Sequence, residues 1–90
     1  MSKISEQEFN QLEANLRVAH ELNCSRLLCP MPVIKTQNAL KELAQGDILK
    51  VICTDPGTMA DIPTWSRIND IEVLGYAEMA DHSIQFLLKK

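Results

Sequence analysis

Two prolines one residue apart, Pro30 and Pro32, restrict this chain more than any other residues in it. The proline ring holds φ near the helical value and removes a backbone donor, so proline suits the first turn of a helix. Downstream, Val33, Ile34, Leu40 and Leu43 recur with a helical period, Ala39 and Ala44 fill between them, and Gly46 supplies a stop. The pattern predicts a helix from Pro30 to Ala44, with Pro30 at its first position and Cys29 just ahead of it. A residue there sees the partial positive charge of the helix's unpaired N–H groups. A thiol so placed ionises below its usual pKa of about 8.5, and the thiolate is the nucleophile. Arg26, three residues upstream, adds to the positive field, whereas Lys35 lies more than one turn into the helix. The quartet Cys29-Pro30-Met31-Pro32 therefore reads as a device that presents one activated sulfur.

The other elements follow from hydrophobic period. Phe9, Leu12 and Leu16 suit a short amphipathic helix, and Ser5 with Glu8 resembles a capping box. That segment either docks on the rest or frays. Val18, His20, Leu22 and Cys24 alternate as a first strand, and Ser25 to Leu28 form the loop to the cysteine. Residues 47–54 form a strand buried on both faces, because Leu49, Val51 and Cys53 mark one side and Ile48 and Ile52 the other. Asp55-Pro56-Gly57-Thr58 is a turn, with Thr58 as the expected N-cap of a second helix that runs to about Asn69. Pro63 requires that this helix begin near Asp61 or that its first turn be irregular. Ile71, Val73 and Gly75 alternate as a third strand, and Ser83 to Leu88 form a fourth, close enough to make a hairpin. The order is β-α-β-α-β-β. It predicts an α/β (α+β) two-layer sandwich, with a four-stranded mixed sheet, two helices on one face, and an optional helix in front. Residues 1–16 form an extension and 17–90 the domain.

At 90 residues the core is small and leaves no room for a deep cavity with a lid, so chemistry belongs on an exposed surface. A net charge of −3 with scattered Lys and Arg argues against nucleic-acid binding. No apolar run approaches the roughly 18 residues of a membrane helix, and the polar N-terminus lacks a signal-peptide pattern. Three cysteines, an odd count, fit a cytoplasmic protein with reduced thiols better than a disulfide scaffold. Cys24 and Cys29 are too widely spaced for a zinc knuckle, and His20 and His82 are not at useful spacing from them. No metal or cofactor is expected.

The stretch LNCSRLLCPMPVIKTQNA (22–39), together with TDPGTMADIPTW (54–65), resembles the TusA/SirA-like sulfur-carrier family over about residues 17–90. The resemblance implies a two-layer α/β sandwich and a persulfide on the reactive cysteine. That persulfide would come from a cysteine desulfurase or rhodanese-like donor and pass to a downstream acceptor, in tRNA thiolation, sulfur oxidation or cofactor sulfuration. The carrier role falls on Cys29, the helix-start positions on Pro30 and Pro32, a common basic position on Lys35, and the second motif on Asp55, Asp61 and Pro63. Three departures stand out. Asn23 replaces an Asp, Arg26 replaces a Gly, and Asp70-Ile71 replace a frequent Gly-His. An Arg where Gly is usual strains any backbone that needs φ above zero.

Blander readings stand beside these. Cys29 could be a small buried hydrophobe, and Cys53, on the central strand, reads as core. Cys24 could pair with Cys29 under oxidation, which makes a thiol redox protein one alternative. A binding or regulatory module of the same fold is another. Asp55 and Asp61 suit turn and capping roles more readily than catalysis. Trp65 reads as packing for the second helix, Met31 as an exposed apolar contact beside Cys29, and His20 as an ordinary strand side chain.

Overall fold

The computed structural model describes residues 3–90. Its elements run α1 (Glu6–Ala14), β1 (Val18–Cys24), α2 (Met31–Lys41), β2 (Ile48–Cys53), α3 (Thr58–Ile68), β3 (Glu72–Glu78) and β4 (Ile84–Lys89). The sheet order is β1-β2-β4-β3. β1 and β2 pair in parallel, while β4 pairs antiparallel with both β2 and β3. The expected mixed sheet and closing hairpin are both present. In the hairpin turn His82 sits at φ 71°, and the Met79 N–H donates to the Ser83 carbonyl at 2.7 Å.

β2 and β4 are central and buried along most of their length, whereas β1 is an edge strand buried fully only at Cys24. One face of the sheet carries Leu49, Val51, Cys53, Phe86 and Leu88 beneath α2 and α3. Phe86 stacks on Tyr76 at 5.4 Å. The helices turn narrow stripes toward this face: Pro32, Thr36 and Leu40 from α2, and Thr58, Ile62 and Ser66 from α3. The i, i+4, i+8 spacing of each stripe keeps it on one side of its helix. One hydroxyl residue among the three buried positions of α2 and two among the four of α3 keep these stripes small, so the helices can lie close to the sheet. Ile34, assigned to the apolar period, in fact points outward and is 42% exposed.

Residues 4–16 dock rather than fray. α1 begins with the expected capping box, in which the Glu8 N–H donates to the Ser5 hydroxyl and the Ser5 N–H to the Glu8 carboxylate. It lies on the sheet face opposite α2 and α3, where Phe9 is fully buried among Ile48, Ala77, Met79 and Leu87. Gly75 provides the seat. A Cβ there would stand 3.0 Å from Ile4 and 3.1 Å from Leu12. Lys50, on the same face, reaches Glu13 of α1 at 2.9 Å and Glu21 at 3.6 Å.

The helix boundaries depart from the expected ones for identifiable reasons. Pro30 is the N-cap of α2 rather than its first residue, with φ −97° and ψ 10°, and its carbonyl accepts the Ile34 N–H. Pro32 is the proline inside the first turn. α2 ends at Lys41, three-residue hydrogen bonds tighten the chain after it, and Gly46 turns it at φ 90°. α3 starts at Thr58, so Gly57 and not Thr58 is its N-cap. Its first turn is irregular, because Met59 and Ala60 donate three residues back, to Pro56 and Gly57. Pro63 then sits inside α3 and is buried, at the expense of one backbone bond.

Candidate functional site

Because β1 and β2 are parallel neighbours, the loops that follow them leave the same edge of the sheet side by side. The first carries Cys29 and the second Asp55, and α2 and α3 begin directly behind them.

The first loop is shaped by local polar contacts. The Asn23 side-chain oxygen accepts the Ser25 N–H at 2.9 Å, so Asn still makes the turn that an Asp would make. Arg26 sits at φ 68°, in the left-handed region, and its N–H donates to the Thr54 hydroxyl at 2.8 Å. The loop thus keeps a glycine-like path with an arginine in it. Relieving that strain with Arg26→Gly should raise stability by about 1 kcal/mol, read as a higher urea midpoint. A lower midpoint would mean that the Arg26 side chain contributes contacts outweighing the strain.

Asp55 ties the two loops together. One carboxylate oxygen accepts the Cys29 N–H at 3.1 Å, and the other accepts the Gly57 N–H at 3.0 Å. Its own carbonyl accepts the Thr58 hydroxyl at 2.7 Å. The capping and turn role expected of Asp55 is present, and it extends across 26 residues of sequence to the cysteine backbone. Asp61, in the first turn of α3, lies beside the Cys29 thiol.

Cys29 is exposed, which excludes the buried-hydrophobe reading. Its electrostatics run opposite to the expected activation. A hydrogen bond to Asp61, with further contributions from partial desolvation and from the charges of Asp61 and Asp55, holds the thiol pKa above its ordinary value. A carboxylate accepting from S–H favours the neutral form, and two nearby negative charges oppose the thiolate. Arg26 contributes to the site through its backbone.

Beside the two carboxylates, the chain around the thiol carries exposed apolar side chains. Leu28 is 70% exposed and Met31 39%, with Ile34 one turn along α2. Met31 was expected there. Leu28 and Ile34 were not, although apolar residues close in sequence to an exposed cysteine are themselves a signal of a contact surface. Thr54 was missed too, since only the fold brings it within reach of Arg26. Trp65 is half-buried against the core and His20 is exposed, as expected of both.

Cys24 does not face Cys29. It is fully buried, as is Cys53, its register partner across β1 and β2. Among the described residues no group of three or more His, Cys, Asp or Glu side chains is placed to hold a metal ion. No described helix is long and apolar enough to cross a membrane.

Residues 20–90 match the family model of sulfurtransferase TusA. The chain is 41% identical over 69 residues to the sulfur carrier protein TusA of Pseudomonas entomophila, covering 77% of this chain and 86% of that protein. It is 35% identical over 69 residues to YrkI of Bacillus subtilis, covering 77% of this chain and 91% of that one. A solved SirA-like protein from Desulfitobacterium hafniense superposes with a TM-score of 0.71 at 20% identity, over 78% of this chain and 95% of that one. The last likeness is one of fold.

Proposed function

The chain belongs to the TusA sulfurtransferase family, and from that premise we propose that it carries sulfur as a persulfide on Cys29. The supporting observation is one exposed thiol held by its backbone between the two sequence motifs, at the mouth of two parallel strands. A donor enzyme of the cysteine desulfurase or rhodanese class presents a persulfide, Cys–S–SH. The Cys29 sulfur attacks the outer sulfur, the donor's S–S bond breaks, and the donor thiolate leaves. The Cys29 proton passes to a base, for which the adjacent Asp61 carboxylate is placed. An acceptor removes the sulfur by the same exchange. The acceptor would serve tRNA thiolation, sulfur oxidation or cofactor sulfuration.

The raised thiol pKa makes the free carrier a sluggish nucleophile, which protects an exposed cysteine between transfers. Docking would relieve this. A partner that brings cationic groups to Asp55 and Asp61 neutralises the charges that oppose ionisation, and Leu28 and Met31 supply the apolar contact beside them. Carrier function resides in residues 17–90, with 1–16 as an added segment, and the protein works in the cytoplasm, where donor and thiol stay reduced.

Incubation with a cysteine desulfurase, cysteine and pyridoxal phosphate should add one sulfur to the intact mass. The gain should vanish in Cys29→Ser and persist in Cys24→Ala. No gain from a desulfurase or from a rhodanese with thiosulfate would abandon the carrier reading in favour of a binding module.

A further inference from the structure

Two thiols have no part in sulfur transfer at Cys29. Cys24 ends β1 and Cys53 ends β2, and they are register partners on adjacent parallel strands. Both point to the helix-covered face, both are fully buried, and each thiol shifts the ionisation of the other. Neighbouring strands run about 4.7–4.9 Å apart, and a disulfide needs Cα atoms about 4.4–6.8 Å apart. Register partners on neighbouring strands with side chains on the same face therefore fall within that Cα range.

We propose that Cys24 and Cys53 form a reversible disulfide site at the root of the Cys29 loop, closed by a peroxide-type oxidant and reopened by small thiols. The Cys24 thiolate attacks one peroxide oxygen. The O–O bond breaks, that oxygen remains on sulfur as a sulfenic acid, and the other leaves as water. The Cys53 sulfur then attacks the sulfenic sulfur, the S–O bond breaks, and a second water leaves with the Cys53 proton. Two electrons pass from the sulfur pair to the peroxide. Exchange with two small thiols returns them.

The two cysteines are suited to different steps. The hydrogen bond from Cys53, helped by the charge of Lys35 against the opposing effect of burial, holds the Cys24 thiol below its ordinary pKa. Cys53 is pushed strongly up, first by the same shared hydrogen bond and then by burial, with Asp55 adding to the effect. Cys24 lies on the edge strand and Cys53 on a central one, so Cys24 is the thiol an oxidant reaches first and Cys53 the one that resolves. Access comes through β1, an edge strand paired on one side only and exposed or half-buried from Val18 to Asn23. The end of such a strand opens at low cost. The consequence for the site follows from connectivity. Ser25 to Cys29 continue directly from Cys24, and Thr54 and Asp55 directly from Cys53. A cross-link joins the bases of both loops.

This inference does not depend on the persulfide reading, and its test leaves Cys29 out. Cys29→Ser protein treated with hydrogen peroxide should lose two hydrogens in intact mass and yield a Cys24–Cys53 linked peptide. Dithiothreitol should restore the starting mass. The loss should disappear when either Cys24→Ala or Cys53→Ala is added, each variant being checked for folding by circular dichroism. Amide exchange of the Cys53–Gly57 and Ser25–Leu28 loops should slow in the oxidised form. Oxygen addition without loss of two hydrogens, or two thiols that stay alkylatable, overturns the site. A linked pair with unchanged loop exchange overturns its coupling to the Cys29 loop.

Discussion

Asp61→Asn shifts the pH profile of Cys29 alkylation toward lower pH. The hydrogen bond from the thiol to the Asp61 carboxylate, followed by that carboxylate's charge, holds the proton on sulfur. An amide can still accept from S–H, but it no longer opposes a negative sulfur through its charge. Asp61→Ala removes the acceptor as well and should shift the profile further in the same direction. At neutral pH, where the wild-type thiol is mostly protonated, both variants should react faster with iodoacetamide. The measurement is the alkylation rate from pH 6 to pH 10, followed by mass spectrometry on protein that also carries Cys24→Ala and Cys53→Ala. Profiles that overlay would remove Asp61 from the account of this site. The sign for stability runs the same way. Folding raises this thiol's pKa, so the stabilisation is complete below the ordinary thiol pKa. It is lost as pH climbs through the folded value, and Asp61→Asn should reduce that alkaline loss.

Phe9→Ala releases α1 from the sheet. Phe9 is the only fully buried residue of that nine-residue helix, and it fills the cluster formed with Ile48, Ala77, Met79 and Leu87. Removing a buried phenylalanine side chain costs about 3–5 kcal/mol. A helix this short does not hold together in water once it loses its packing. Of the polar links that remain, the Lys50–Glu13 pair, the Ala80 N–H to the Glu6 carboxylate and the Ile4 N–H to the Tyr76 carbonyl are worth about 1 kcal/mol or less each, and Ile4, Leu12 and Leu16 are only partly buried against the cluster. Amides of Glu6–Ala14 should therefore lose hydrogen-exchange protection, while those of the four strands keep most of theirs. Protected α1 amides in the variant would show that the charged contacts hold the helix without its anchor. The result also bears on the domain boundary, because the family match begins at residue 20 and leaves α1 outside it.

Much of this protein could be read along the chain. Periodicity located every strand and helix, and the Ser5/Glu8 pair announced the start of α1. Ile34 shows the limit of that method. A stripe is defined by what it packs against, and here the sheet accepts Pro32, Thr36 and Leu40, so a larger apolar residue was turned out to solvent. The start of α3 shows another. Thr58 is a good capping residue in isolation, but its hydroxyl bonds to the Asp55 carbonyl and the cap moved to Gly57.

Local chemistry alone determined that one cysteine precedes a proline-started helix, because proline's geometry needs no distant partner. The tertiary structure decided which charges surround that cysteine. The parallel pairing of β1 with β2 sets Asp55 and Asp61, both distant in sequence, against the thiol, and their carboxylates favour its protonated form. It also decided which thiols meet, because strand register, and not spacing in sequence, placed Cys24 beside Cys53 rather than Cys29. Period and propensity act over a few residues, whereas Coulomb forces and strand register act between segments that only folding brings together.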